Sequence, residues 1–300
     1  MSVRDASSDH YAFARGDGAA LYDPTLGITT LIRTIGLSRE RAGFVVIQDR
    51  VTLSAPRTID QVLHAMRPAP ETSNSDSPWL KLANFNGLLL GVRLVAPSQY
   101  RATIATQISN QFRENMHDDG KFGVVRVAPT GPQTNTVLLE VLWPTTSAAW
   151  SERPQVQPLD NARPQRGFFI TLGSSTESWI FNLSGTKTDA GGLSIQRNDR
   201  SGSGLRRSNN VGATERLFIQ GADRLADQNG ARTLIDLGSS SGVLEIDFAG
   251  TEARLSGSAG VLGVKFLKFF GSEVTAVIHR GKNLQWTRSQ GLVTITGMTS

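Results

Sequence analysis

Short runs of apolar residues, many alternating with polar ones, recur along this chain between clusters of Gly, Ser, Asn, Asp and Pro. That spacing predicts strands and turns rather than long helices. The most ordered stretch is Gly27 to Val51. Ile28, Leu31, Ile32, Ile35 and Leu37 lie among threonines, and Phe44-Val45-Val46-Ile47 follows, closed by Asp49-Arg50. Between them Ser38, Arg39, Glu40, Arg41 and Gly43 have the composition of a chain reversal, so the stretch predicts a β-hairpin. Further strands are expected over Thr58–Met66, Leu80–Val95 (two strands, or one with a bulge), Tyr100–Ile108, Phe122–Val127 and Thr136–Trp143. Residues 70–78 predict a polar loop, and Asn115–Gly120 a turn. The segment 144–166, with Pro144, Pro154, Pro158 and Pro164, predicts a connection.

Beyond it, short strands at a spacing of about ten residues are the pattern of a sandwich or barrel. Residues 198–213 (NDRSGSGLRRSNNVGA) predict a flexible basic loop too polar to pack. The expectation is an all-β protein: an antiparallel β-sandwich over 1–150, a Pro-rich connection over 151–166, and a second, smaller β-sheet region over 167–300.

Composition narrows the chemistry. The chain has 300 residues, 30 of them Gly, and no Cys, which removes disulfides and thiolate metal sites. A net charge of +5 and a pI near 9.9 favour anionic partners, although excess charge also serves solubility. No run of about 18 apolar residues is present, so no membrane span is expected. The start, MSVRDASSDH, does not read as a signal peptide; either the protein stays inside the cell or the true N-terminus lies upstream. No GxSxG, P-loop or dinucleotide fingerprint occurs, and basic residues are not interleaved with aromatics as in a nucleic-acid module.

Several residues between Tyr11 and Pro70 carry a resemblance. In order they are Tyr11, Gly16-Asp17, Tyr22, Leu31-Ile32-Arg33 with Ile35 and Leu37, Phe44 to Val51, and Val62-Leu63-His64; Val137 to Pro144 extends the pattern. This stretch resembles the β-sheet region that follows the α/α toroid in the heparinase II/III-like polysaccharide lyases. The resemblance implies stacked antiparallel sheets of supersandwich type, a periplasmic or extracellular setting and an acidic, uronate-containing polysaccharide as partner. It also implies eliminative chemistry carried largely by the toroid, with a structural metal often held by His and Asp. The sequence departs from the family here: it has no helical toroid, and only four His with no paired ligand set. The expectation is therefore a supporting β portion, inactive alone, with no cofactor. The rival is a non-catalytic carbohydrate-binding or structural β-sandwich protein, such as a surface or virion adhesin.

The candidate residues each have two readings. Tyr11, next to the weaker candidate His10, is an acid or base for elimination, or the two are an ordinary terminal dipeptide with the Tyr packed on a sheet. His64 is a remnant of the family pattern or an ordinary sheet histidine. Arg33 is a uronate clamp or a structural partner of Asp49. Arg197, Arg200, Arg206, Arg207 and Arg216 form an anion-binding loop or a solvated one. Trp150 and Trp286 are the better sugar-stacking platforms, because Trp143 lies in a strongly apolar strand. His117-Asp118-Asp119-Gly120 is explained as a turn without metal.

Overall fold

The computed structural model describes residues 3–40, 43–65, 71–72, 79–83, 87–108, 121–182, 187–196, 202–238, 242–257 and 267–295. Two compact units form. The first is Ala14–Arg153 with Met1–Arg4, and the second is Pro154–Ser300 with Asp5–Phe13. Among the described residues helical structure is confined to three-residue 3-10 turns, and no helix is long and apolar enough to cross a membrane. The protein is all-β, built from sheets that are antiparallel apart from one parallel pair, Glu252–Gly257 beside Ala276–His279.

The first eleven strands are β1 (Val3–Ser7), β2 (Tyr11–Asp17), β3 (Ile28–Ser38), β4 (Phe44–Arg57), β5 (Gln61–Ala65), β6 (Glu71–Thr72), β7 (Trp79–Ala83), β8 (Leu88–Ala96), β9 (Tyr100–Ile108), β10 (Lys121–Pro129) and β11 (Gln133–Thr146). They make an eight-stranded sheet in the order β1-β2-β3-β4-β11-β8-β7-β6 and a three-stranded sheet, β5-β10-β9. The predicted hairpin is β3–β4, with Arg33 opposite Asp49 and Ile35 opposite Ile47. Gly27 enters it at φ 69°, where any side chain would be strained and a Cβ would collide with Ser54 Oγ. Leu80, Leu82, Val92 and Leu94 from the large sheet pack with Val125 and Val127 from the small one, so the core of this unit lies between two sheets.

The second unit contains β12 (Gln155–Pro158), β13 (Gly167–Leu172), β14 (Ser175–Phe181), β15 (Lys187–Ala190), β16 (Leu193–Gln196), β17 (Ser203–Asn209), β18 (Thr214–Gln220), β19 (Arg224–Asp227), β20 (Arg232–Asp236), β21 (Val243–Ala249), β22 (Glu252–Gly257), β23 (Leu267–Phe270), β24 (Ala276–His279), β25 (Lys282–Asn283), β26 (Trp286–Ser289) and β27 (Leu292–Ile295). A nine-stranded sheet runs β12-β13-β14-β17-β18-β21-β22-β24-β25, and a seven-stranded sheet runs β15-β16-β19-β20-β23-β27-β26. Their facing sides form one core, with Ile180, Leu217, Ile219, Leu244 and Ile246 from the first sheet against Leu193, Ile195, Leu225, Ile235 and Phe269 from the second.

The nine-stranded sheet is covered on its other side as well. Tyr11 and Phe13, from the N-terminal segment that belongs to this unit, pack on Trp179 and Phe218, with Phe13 stacked on Phe218 at 5.0 Å. That double cover is why Glu177, Ser178, Trp179, Ile180 and Phe181 are all buried in succession instead of alternating.

Three expectations need correction. Residues 5–13 do not group with the first unit. The segment 151–166 is not a bare connection, since Gln155–Pro158 pairs with β13. The basic segment 198–213 is not a flexible loop where described: Ser203–Asn209 is strand β17, paired on both sides. Residues 66–70, 73–78 and 109–120, including His117, lie outside the described residues.

Candidate functional site

Four neighbouring strands of the second unit place a row of charged residues in register. Glu177 on β14 lies opposite Arg207 on β17, Arg207 opposite Arg216 on β18, and Arg216 opposite Asp247 on β21. The next row on the same face is Trp179, Leu205, Phe218 and Glu245. Two arginines directly opposite one another repel, so the row needs carboxylates on both flanks. Arg207 Nε donates to Glu215 Oε2 at 3.1 Å, and its guanidinium lies 3.6 Å from Glu177. Arg216 donates to Asp247 Oδ1 at 2.8 Å and lies 3.4 Å from Glu245.

The N-terminal segment closes this cluster. Tyr11 Oη donates to Glu177 Oε1 at 3.2 Å, and Trp179 Nε1 donates to Glu177 Oε2 at 2.9 Å. His10 Nδ1 is 2.5 Å from Glu245 Oε1, and Arg216 Nη2 is 3.2 Å from His10 Nε2. A guanidinium can only donate, so Nε2 accepts and the ring proton sits on Nδ1, donating to Glu245. The nitrogen that a general base would use is thus already occupied by an arginine. Burial, and then the Glu177 carboxylate, hold the Tyr11 phenol well above the ordinary tyrosine range. It stays a protonated donor, and its side chain is fully enclosed. Tyr11→Phe leaves Glu177 short of a donor in a buried site and is expected to cost about 1.5–3 kcal/mol. Chemical denaturation followed by tryptophan fluorescence would measure it.

In the first unit, Arg33 donates from Nε and Nη2 to both oxygens of Asp49, at 2.7 and 2.6 Å. This is the bidentate geometry of the structural reading. Nearby on the same sheet, the fully buried Glu140 accepts from Gln61 Nε2 of the small sheet at 2.6 Å. Glu140 Oε2 and Gln61 Oε1 are enclosed without partners among the described residues.

The remaining candidates are scattered. Arg206 points to the opposite face from Arg207 and pairs with Asp227 at 3.2 Å; Asp227 is also bound by Arg232. His64 is exposed on β5, opposite Val124. Trp150 stacks on Trp143 at 6.2 Å, with Lys81 and Arg153 over its ring. A side chain at Gly91 would press on both Trp150 and Trp79, so a bare backbone there makes room for the aromatic stack. Trp286 packs against the core of the second unit and lines a shallow depression with Leu284, Gln285 and Thr287. Arg197 and Arg200 lie outside the described residues. Among the described residues no group of three or more His, Cys, Asp or Glu could hold a metal ion, so the metal implied by the family resemblance has no fitting ligand set there.

The sequence reading missed Glu177, Glu245 and Asp247, which complete the cluster. Parity along β14 marks Glu177, which shares a face with Trp179; along β21 nothing in the sequence marks Glu245 and Asp247, whose aromatic neighbour Phe218 lies on another strand.

The chain matches no family profile and no curated protein. Among solved structures it is similar to heparan sulfate lyase HepC from Pedobacter heparinus, at 8% identity and a TM-score of 0.42, over 57% of this chain and 26% of that one. A mutant of the same enzyme matches at 8% identity and a TM-score of 0.42, over 71% of this chain and 27% of that one. The chain spans about a quarter of the length of these lyases.

Proposed function

We propose that this chain is a β-sheet scaffold of a polysaccharide lyase of the heparinase II/III-like kind, binding an acidic, uronate-containing glycan and performing no elimination by itself. The observation that carries the reading is the commitment of its candidate groups to internal pairs. Elimination next to a uronate carboxyl needs a group to neutralise the carboxylate, a base for the α-proton and an acid for the leaving oxygen. Arg33 is held by Asp49, Arg206 by Asp227 and Arg207 by Glu215; Tyr11 and His10 are held by Glu177 and Glu245. Residues that carry the family resemblance, Arg33 and Asp49 among them, hold strands together. In this reading an α/α toroid domain supplies the catalytic groups, and the setting is periplasmic or extracellular.

Two measurements test it. The chain, incubated with uronate polymers and followed by the absorbance of the unsaturated product, is expected to give no turnover; sustained turnover overturns the scaffold reading. On a glycan array it is expected to bind uronate polymers in a salt-sensitive way. Neutral-sugar binding or none favours the rival reading, a non-catalytic carbohydrate-binding or structural β protein, which the same internal pairing also fits.

A further inference from the structure

The outer face of the seven-stranded sheet carries a second polar arrangement, separate from the cluster around Tyr11. Along β15, β16 and β19 the core takes Ala190, Leu193, Ile195 and Leu225, so the alternate residues face outward. Register lines them up across the strands. Lys187 lies opposite Gln196, and Gln196 opposite Arg224; in the neighbouring row Asp189 lies opposite Ser194, and Ser194 opposite Ala226. Two cations therefore flank an amide, two strand spacings apart, or about 10 Å between backbones. Between them is a depression of about 180 Å³ lined by Lys187, Ser194, Gln196, Arg224, Ala226 and Gly230.

Arg207 and Arg216 are each flanked by two carboxylates; the cations here are not. Arg224 makes no ion pair among the described residues. Its Nη2 donates to Thr233 Oγ1 at 2.6 Å and weakly to the Gly230 carbonyl at 3.4 Å, and its Nε is enclosed without an acceptor. Asp236, its neighbour on β20, turns instead to the Gly238 N–H at 2.8 Å. Lys187 is paired with Asp189 at 3.1 Å; both side chains are nearly half exposed, although the Asp189 oxygen that meets it is enclosed, and an exposed pair of this kind contributes little. The Ser194 hydroxyl and the Gln196 carboxamide add neutral hydrogen-bonding groups with no protein partner among the described residues. The depression is short of negative charge and rich in donors.

We infer that this depression is a binding site for one small oxyanion group, the carboxylate of a sugar acid, gripped between Arg224 and Lys187 and steadied by Ser194 and Gln196. A planar carboxylate suits the guanidinium, whose remaining N–H groups can meet it in parallel, and the ammonium is a mobile second charge. That the anion is borne by a sugar rests on the acidic-glycan reading above; the anion pocket itself does not.

The test is isothermal titration of the full chain with sodium glucuronate, inorganic sulfate and glucose, repeated on Lys187→Gln and Arg224→Gln. Lys187 is exposed enough for its replacement to leave folding intact, which circular dichroism and melting would verify. Expected are saturable 1:1 binding of glucuronate, none of glucose, at least tenfold weakening in Lys187→Gln and loss in Arg224→Gln. Sulfate binding with the same residue dependence but no glucuronate binding upholds the anion pocket and overturns the sugar-acid assignment. No saturable binding of either anion, or binding unchanged in both variants, overturns the pocket. Glucuronate uptake at this site without binding of any uronate polymer on the array removes the glycan reading and leaves the pocket standing. Polymer binding that survives both substitutions, with no glucuronate uptake, does the reverse.

Discussion

Replacing Arg216 with alanine is expected to destabilise the second unit by about 3–5 kcal/mol, the cost of leaving a buried carboxylate without its cation. Glu245 is only 2% exposed, and the Arg216 guanidinium lies 3.4 Å from it. His10 Nε2 and Asp247 lose a donor in the same step. The effect belongs to the charge left behind, and a second substitution checks this. Arg216→Ala combined with Glu245→Gln removes that charge and should recover a large part of the loss, whereas independent contributions would add. Urea denaturation of the wild type, both single variants and the double variant measures the coupling. An Arg216→Ala protein as stable as wild type would refute the buried network. If the single variant does not fold, Arg216→Lys, which keeps the charge and loses the forked geometry, should fold with a smaller deficit.

A second large effect is expected at Glu140, with the opposite sign. Burial raises the Glu140 carboxyl to about 7 from an ordinary 4.5, with the neighbouring Asp49 charge adding to it and the Gln61 and Arg33 contributions opposing. The folded state therefore holds a proton that the unfolded chain releases, and the sign follows directly. The favourable contribution is fully present below about pH 4.5. It is lost progressively as pH rises towards 7, and above that the penalty is constant, at about 3 kcal/mol for a shift of this size.

The geometry gives the proton a use. Once protonated, Glu140 Oε2 becomes a donor, and Gln61 Oε1, the other atom without a partner in the same pair of side chains, is the matching acceptor. Glu140→Gln keeps this pairing at every pH. It is expected to stabilise the first unit by about 3 kcal/mol at pH 8 and to remove the Glu140 part of the slope between pH 4.5 and 7. Amide hydrogen exchange in β4 and β11 at pH 5 and pH 8 would follow it, and an unchanged pH dependence in the variant would refute the assignment. Such a group stabilises the sandwich under mildly acid conditions and loosens it towards alkaline ones.

The difference between these two buried polar systems is one of charge compensation. Around Arg216 each carboxylate lies beside a guanidinium, two to each arginine, so removing one arginine is costly. Glu140 sits opposite a neutral amide and near another carboxylate, so the ionised form itself is the misfit. The depression between Lys187 and Arg224 is a third case, in which the missing partner is an anion from outside the chain.

Much of the fold was legible in the residues. Alternation marked most strands, and the β3–β4 hairpin could be placed closely because its register is set over a short loop: with Ser38 and Phe44 paired at its end, Arg33 must face Asp49. The Arg33–Asp49 pair is therefore local information. Trp143 in an apolar strand likewise declared itself as core, and it is buried.

Other features depended on contacts far apart along the chain. Ser203–Asn209 looked too polar to pack because it carries two arginines, yet Arg206 and Arg207 point to opposite faces and find their carboxylates on other strands, Asp227 on one side and Glu177 and Glu215 on the other. Composition counts charges in a segment; burial depends on whether partners arrive from elsewhere. Tyr11 meets Glu177 across 166 positions, and His10 meets Glu245 across 235. The period of two states which residues share a face, but not which strand lies alongside or at what register. The sequence alone thus determined that this is an all-β chain with a strongly specified hairpin. Tertiary structure decided that the N-terminal segment covers the nine-stranded sheet and ties up the catalytic candidates Tyr11 and His10. It also decided that a donor-rich depression forms where three short strands align, because cross-strand register is set by the packing of the whole core.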